Sequence, residues 1–118
     1  LRLSLTPSLM PMVIEKGIAP FHKKYRDMTF RIRESYQVPL AEEVRRGISE
    51  IGIANAPLPD PSLFHILHEE TASLVAVGER ASHFLPEKEI LSAKDLENVP
   101  LAVSRSTEDT VKQFFQEA

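Results

Sequence analysis

Short segments with the period of a β-strand alternate with segments that have the period of an α-helix, and this alternation constrains the fold most. Apolar and polar side chains alternate in residues 1–5 and 28–33, and residues 51–54 form a short continuous apolar run. Between them, apolar residues recur at helical spacing in residues 10–25 and 40–48. The resulting order, βαβαβ, predicts an α/β fold with a parallel sheet and helices on its faces.

The composition excludes several classes of function. The 118 residues include 14 Lys and Arg against 17 Asp and Glu, a formal charge of −3, and the basic residues are scattered. A nucleic-acid-binding surface is therefore not expected on this chain. Cysteine is absent, which excludes disulfides, thiolate catalysis and Cys-ligated metals. Neither a bilayer-spanning apolar run nor an export signal is found, so we expect no membrane partner and a cytoplasmic location.

The first helical segment contains a residue that helices disfavour. Pro20 lacks the backbone N–H that an interior helical position donates, and Gly17 is close by. We expect a kink or break near residues 17–20.

The second half of the chain has weaker patterns. Residues 63–78 predict a fourth extended region, and a lobe boundary is expected in the turn-prone stretch 78–82. Residues 92–96 predict a helical turn and residues 101–104 a strand, after which residues 107–118 predict a helix. Because the sequence opens without Met and stops in a helical pattern, we expect it to be a piece of a longer protein.

Candidate catalytic and metal-binding motifs are few. His65 and His68, followed by Glu69 and Glu70, form the only metal-like cluster. In an extended segment the two histidines point to opposite faces, so they are not expected to share an ion. Nucleophile-elbow, P-loop and dinucleotide-binding glycine motifs do not occur. We therefore predict no catalytic residue, no metal and no cofactor.

Hydroxyl side chains are concentrated where predicted strands lead into predicted helices. The junctions are Thr6-Pro7-Ser8, Glu34-Ser35 and Ser104-Arg105-Ser106-Thr107. Helix N-termini present free N–H groups and a positive dipole end. Several of them at the carboxyl ends of parallel strands form a receptor for a carboxylate or a similar anion, whereas ordinary helix capping explains any single one.

Six short segments occur in an order that is typical of one family. They are Thr6-Pro7-Ser8-Leu9, Phe21-His22-Lys23-Lys24-Tyr25, Arg31-Ile32-Arg33-Glu34, Gly47 to Ile53, Ala76-Val77 with Ser82-His83, and Ala93-Lys94-Asp95-Leu96 leading to Pro100-Leu101. Together they resemble the effector-binding domain of LysR-type transcriptional regulators over nearly the whole chain. Two positions depart from the family pattern: Pro20 lies where the family tends to continue a helix, and Glu50 replaces the more usual Asp.

The resemblance implies a type 2 periplasmic-binding-protein-like fold of two lobes with a small effector in the cleft between them. Residues 1–78 would form the first lobe, nearly complete, with a crossover strand after βαβαβ. Residues 79–118 would begin a truncated second lobe. The family's helix-turn-helix domain, which contacts DNA, lies N-terminal to this module and is absent from this chain. The implied function is ligand sensing that modulates DNA binding and transcription, without catalysis.

The junctions and the resemblance together predict the functional residues. The predicted effector contacts are Thr6, Pro7, Ser8, Ser35 and Asn55 from the first lobe and Ser104, Ser106 and Thr107 from the second. The resemblance also implies a homodimer or homotetramer whose interface uses the first helix and the second strand, with His22, Tyr25, Arg31 and Arg33. Arg31 and Arg33 share one face of a strand and are otherwise explained as solvated charge.

Two other functions are compatible with a two-lobed architecture, because one fold serves several functions. A solute-binding protein for transport would carry an export signal. A small-molecule enzyme would need a general base poised between the lobes, and none is evident in the sequence.

Overall fold

The computed structural model describes residues 1–79 and 83–117. The chain divides into two compact units, Leu1–His68 and Glu69–Ala118. The predicted lobe limits, 1–78 and 79–118, stay a prediction; Ser82 in the predicted boundary and Ala118 at the end of the last helix lie outside the described residues. Within the described ranges, no helix has the length and apolar character to span a membrane.

Three parallel strands form the sheet of the first unit. They are β1 (Arg2–Leu5), β2 (Arg31–Glu34) and β3 (Ile51–Ile53), in the order β2-β1-β3. Both ladders are parallel, with Leu5 opposite Glu34 on one side and opposite Ile53 on the other. The central position buries β1 from Leu3 onwards, whereas all four residues of β2 are exposed at the edge. The predicted parallel sheet is confirmed.

One continuous helical course follows β1. It consists of a 3₁₀ turn (Pro7–Leu9), α1 (Met10–Val13), a π-helical turn (Ile14–Ile18) and α2 (Ala19–Lys24). Pro20 has no N–H to donate to the preceding turn. The π turn widens the backbone just before it, where the Ala19 N–H donates to the Ile14 carbonyl. The interruption predicted near Pro20 is therefore a π turn, and the helical course does not break.

Helix α3 (Gln37–Arg45) connects β2 to β3 and lies close against β3. It ends before Gly47, whose φ of 68° is left-handed and is adopted by glycine without a side-chain clash. Leu40 is buried on the sheet side of the helix. A Cβ atom on Gly52 would lie 2.6 Å from Leu40 Cδ2 and 3.0 Å from Val44 Cγ2. The absence of a side chain at Gly52 thus permits the close approach of α3 to β3.

The second unit contains two helices among its described residues, α4 (Ala93–Leu96) and α5 (Glu108–Glu117). Both were predicted from the sequence. The predicted extended region 63–78 and the predicted strand 101–104 form no strand in the described part of the chain. A strand is defined by hydrogen bonds to a neighbouring strand, and the sheet of the described residues consists of β1, β2 and β3 alone.

Helix α4 begins with a group of hydrogen bonds on Asp95. The Ser92 amide and hydroxyl donate to Asp95 Oδ2 at 2.9 Å and 2.6 Å, and Lys88 Nζ donates to Oδ1 at 2.6 Å. The hydrogen bond from Lys88, followed by those from Ser92, holds the pKa of Asp95 well below its usual range. The carboxylate is therefore the form that stabilises the start of α4.

This arrangement predicts a loss of α4 at acid pH. Because the folded-state pKa of Asp95 is lowered, its stabilisation is complete above the unfolded-state pKa of about 3.9 and is lost as the pH falls through the lower folded-state pKa. We expect the helical ¹³Cα shifts of residues 93–96 to decline over that interval. Asp95→Asn should make them independent of acid pH, whereas Asp109→Asn in α5 should leave the decline intact. An unchanged pH profile in Asp95→Asn would contradict this prediction.

Candidate functional site

The carboxyl ends of the three strands bring several predicted residues together. Beyond the regular ladders, the Thr6 amide donates to the Ile53 carbonyl at 3.0 Å and the Ser35 amide donates to the Leu5 carbonyl at 2.9 Å. These bonds extend the sheet by one residue, so Thr6 and Ser35 lie on neighbouring strands about 4.8 Å apart. Two residues that are far apart in sequence thus flank the same edge.

The segment after β3 is tied to the starts of both helical segments. Asn55 Nδ2 donates to Ser8 Oγ at 3.1 Å. Gln37 Nε2, in the first turn of α3, donates to the Asn55 carbonyl oxygen at 3.0 Å. We define the strand-end site as the residues Thr6, Pro7, Ser8, Ser35 and Asn55. These are the five residues predicted as effector contacts in the first lobe, and their contact with an effector stays a prediction.

Thr6 occupies the N-cap position of the 3₁₀ turn, but its side chain makes no capping hydrogen bond. Ordinary helix capping, the alternative explanation for this junction, therefore does not account for the Thr6 hydroxyl. The residue is only 5% exposed, and its Oγ1 has no hydrogen-bond partner within the described chain. A buried hydroxyl without a partner costs about 1–3 kcal/mol. The Oγ1 atom itself is buried, so a polar ligand would satisfy it only after a local shift of its neighbours.

The second helix start likewise has no hydroxyl cap. Tyr36, rather than Ser35, is the N-cap of α3, and it supplies no side-chain hydrogen bond to the helix. The first amides of α3 therefore lack a side-chain cap among the described residues, and they lie beside Ser35 at the strand-end site. A helix start of this kind favours negative charge.

Glu43 is a residue of the site region that the sequence analysis missed. Ser35 Oγ donates to Glu43 Oε1 at 3.3 Å, and Ser4 Oγ donates to Glu43 Oε2. Ser4 and Ser49 are buried, and their hydroxyl oxygens lie 2.6 Å apart. The spacing could have revealed Glu43, because it lies one helical turn after Leu40 and therefore on the sheet side of α3.

The sequence matches a known protein family over all of its residues. A family model described as LysR substrate binding domain matches residues 1–118. The chain belongs to this family. The resemblance predicted from six short segments is therefore confirmed, and the domain is one found in transcription regulators with a periplasmic-binding-protein-like α/β fold. Comparisons with curated proteins and with solved structures gave no match.

The predicted interface residues of this LysR substrate-binding domain lie on α2, on the turn directly after it and on β2. His22, Tyr25, Arg31 and Arg33 are all exposed. The Tyr25 ring lies 4.7 Å from the Phe21 ring between centroids, and the His22 ring lies 6.4 Å from that of Phe30. α2 and the edge strand β2 therefore present aromatic and basic groups on the surface. The role of these residues in subunit contact stays a prediction.

The hydroxyl residues predicted from the second lobe cluster near the start of α5. Ser104 Oγ lies 2.7 Å from Thr107 Oγ1 and 3.1 Å from Ser106 Oγ. The three hydroxyls are exposed or half-buried and are hydrogen-bonded to one another. They do not line the open groove of about 490 Å³ in the same unit, whose apolar wall includes Leu101 and Phe115. Their contact with an effector stays a prediction.

His65 and His68 lie in a segment that has no regular secondary structure. In residues 1–79 and 83–117, no group of three or more His, Asp or Glu side chains is arranged to hold a metal ion. That this LysR substrate-binding domain binds no metal and no cofactor stays a prediction.

Proposed function

We propose that this domain senses a small anionic effector at the strand-end site and so regulates transcription. Within the proposed fold, residues 1–78 are the first lobe of a two-lobed, periplasmic-binding-protein-type module and residues 79–118 begin the second. Contact with DNA through a helix-turn-helix domain, assembly as a homodimer or homotetramer and a cytoplasmic location belong to the same proposal and rest on membership of the family.

The single observation that supports this proposal most is the hydroxyl of Thr6. It is buried and has no partner among the described residues, at the point where a helical segment starts from the central strand. An anion at this position would accept the hydroxyl proton and would lie close to uncapped amides at the start of α3. Ser8, held by Asn55, supplies a second hydroxyl at the same edge.

Sensing requires more than binding. An effector changes the population of two domain states only to the extent that it binds one of them more tightly. The strand-end site joins residues that directly follow β1 and β2 with Asn55 from the loop after β3, so an anion there would favour the state in which all three segments are correctly placed. This differential affinity is the proposed source of the regulatory signal.

The substitution Thr6→Val separates ligand binding from folding. Removing a buried hydroxyl that has no partner should leave the free energy of unfolding unchanged or slightly higher. The same change should remove a hydrogen bond to an anion, worth about 1.5–3 kcal/mol, and so raise the apparent Kd for sulfate roughly tenfold or more. The measurement is a titration of the full chain with sodium sulfate, followed by ¹⁵N–¹H shifts of the amides of Thr6, Ser8 and Ser35.

Thr29→Val is the matched control, because Thr29 is an exposed threonine outside the site. It should bind sulfate with the wild-type Kd. The proposal fails if sulfate shifts none of the three amides in the wild-type chain, or if Thr6→Val binds sulfate as tightly as the wild type does.

A further inference from the structure

The contacts around the strand-end site determine which of its hydroxyls can donate. A serine hydroxyl has one proton and two acceptor lone pairs, while an ionised carboxylate only accepts. Ser35, which is 8% exposed, directs its proton to Glu43 Oε1. Ser35 therefore has only lone pairs left for a ligand.

The hydroxyls of Thr6 and Ser8, which follow β1, differ from that of Ser35 because their protons have no acceptor among the described residues. Ser8 Oγ accepts a hydrogen bond from Asn55 Nδ2, and its own proton has no acceptor among the described contacts. The Thr6 hydroxyl has no partner there either. Ser8 is exposed and can donate to a ligand directly, Thr6 can donate once a local shift exposes its buried Oγ1, and Ser35 on the neighbouring strand can only accept.

The carboxylate of Glu43 is held in place from several directions. The Glu43 side chain also accepts the hydroxyl of buried Ser4, while the Glu43 carbonyl accepts the amides of Ile48 and Ser49 at 2.8 Å and 3.2 Å. Leu40, one turn earlier, is buried against β3. These contacts hold the Glu43 side chain against Ser35, so the proton of Ser35 stays directed at Glu43.

We propose that Glu43, by fixing the proton of Ser35, makes the strand-end site selective for anions that carry a neighbouring hydrogen-bond donor, as hydroxy acids and amino acids do. The anionic group would accept from Thr6 and Ser8, and the hydroxyl or ammonium group would donate to Ser35. Glu43 is a positioning residue in this scheme, because it acts on the ligand through Ser35. This inference rests on the proposed function of the site.

A site that pairs with a hydroxyl group rejects an analogue without it, because its own acceptor is then left unpaired. Lactate and propionate are a suitable pair of probes, since both are monovalent carboxylates and only lactate carries the hydroxyl. In the full chain we expect lactate to bind about three- to tenfold more tightly than propionate, as measured by the shifts of the Thr6 and Ser8 amides.

Two substitutions test the role of Glu43. In Glu43→Gln the carboxamide can donate to Ser35, whose own proton then becomes free, so the preference for lactate should fall to about twofold or less while propionate still binds. Ser35→Ala should remove the preference in the same way without altering α3. Glu42→Gln is the matched control, because the neighbouring Glu42 is exposed and paired with Arg45, and it should keep the wild-type preference.

The outcomes separate the two proposals. Equal binding of lactate and propionate by the wild-type chain, with both shifting the Thr6 and Ser8 amides, would overturn the role of Glu43 and support the anion site. An unchanged preference for lactate in both Glu43→Gln and Ser35→Ala would also overturn it. If lactate, propionate and sulfate all leave these amides unshifted, the proposed function itself is wrong.

Discussion

Leu5→Ala is expected to lower the free energy of unfolding of the first unit by about 2–5 kcal/mol. Leu5 is fully buried in the central strand, where it lies opposite Glu34 and Ile53. Truncation removes its apolar contacts and leaves a cavity that the flanking strands cannot close without breaking their ladders. The measurement is urea unfolding followed by tyrosine fluorescence, because both tyrosines, Tyr25 and Tyr36, lie in the first unit and the chain has no Trp.

Leu63→Ala is the control for this experiment, since Leu63 belongs to the same unit and is 62% exposed. Its substitution should change the free energy of unfolding by about 0.5 kcal/mol or less. Similar losses for Leu5→Ala and Leu63→Ala would show that β1 is not the centre of the core.

Gly52→Ala is expected to destabilise the first unit by about 1–3 kcal/mol. The new methyl group would meet Leu40 Cδ2 at 2.6 Å and Val44 Cγ2 at 3.0 Å, so either α3 or these side chains must move. Leu40 is buried, which limits the rotamers available to it. Gly17→Ala is the matched control, because nothing lies within 4 Å of the position its Cβ would take. That change should be neutral or slightly stabilising.

The contact between Gly52 and Leu40 can be isolated with a double variant. Leu40→Ala alone should cost about 2–5 kcal/mol, but it also removes the atom closest to the new methyl group. In the Leu40→Ala background, Gly52→Ala should therefore cost much less than in the wild type, with a coupling energy of about 0.5–3 kcal/mol. Strictly additive losses would contradict the close packing of α3 on β3.

The pattern of apolar residues was sufficient to predict the three strands and the helices between them. The alternation of apolar and polar residues in 1–5 predicted β1, and the apolar run around Ile53 predicted β3. Gly47 indicated the end of α3. Pro20 was predicted to interrupt the helix, but sequence alone does not show whether the backbone breaks or absorbs the missing N–H in a π turn. For residues 71–77, β-rich composition was not sufficient, since a strand also needs a neighbour to pair with.

The strand-end site was predictable to the extent that topology determines it. Parallel strands bring their carboxyl ends to one edge, which placed Thr6, Ser8 and Asn55 near one another. The direction of each hydrogen bond was not predictable, because a hydroxyl can donate or accept and its choice depends on tertiary neighbours. The spacing from Leu40 places Glu43 on the sheet side of α3, but it does not show that the Glu43 side chain accepts from Ser4 and Ser35.

The central place of β1 has a consequence for folding. This strand is synthesised before the other two, yet Leu3 pairs with Ile32 and Ile51, which leave the ribosome much later. Contacts so distant in sequence close slowly, and the core strand has no hydrogen-bonding partner until β2 and then β3 have emerged. The most buried strand of the first unit is therefore also the one that a nascent chain must keep from non-native pairing for the longest time.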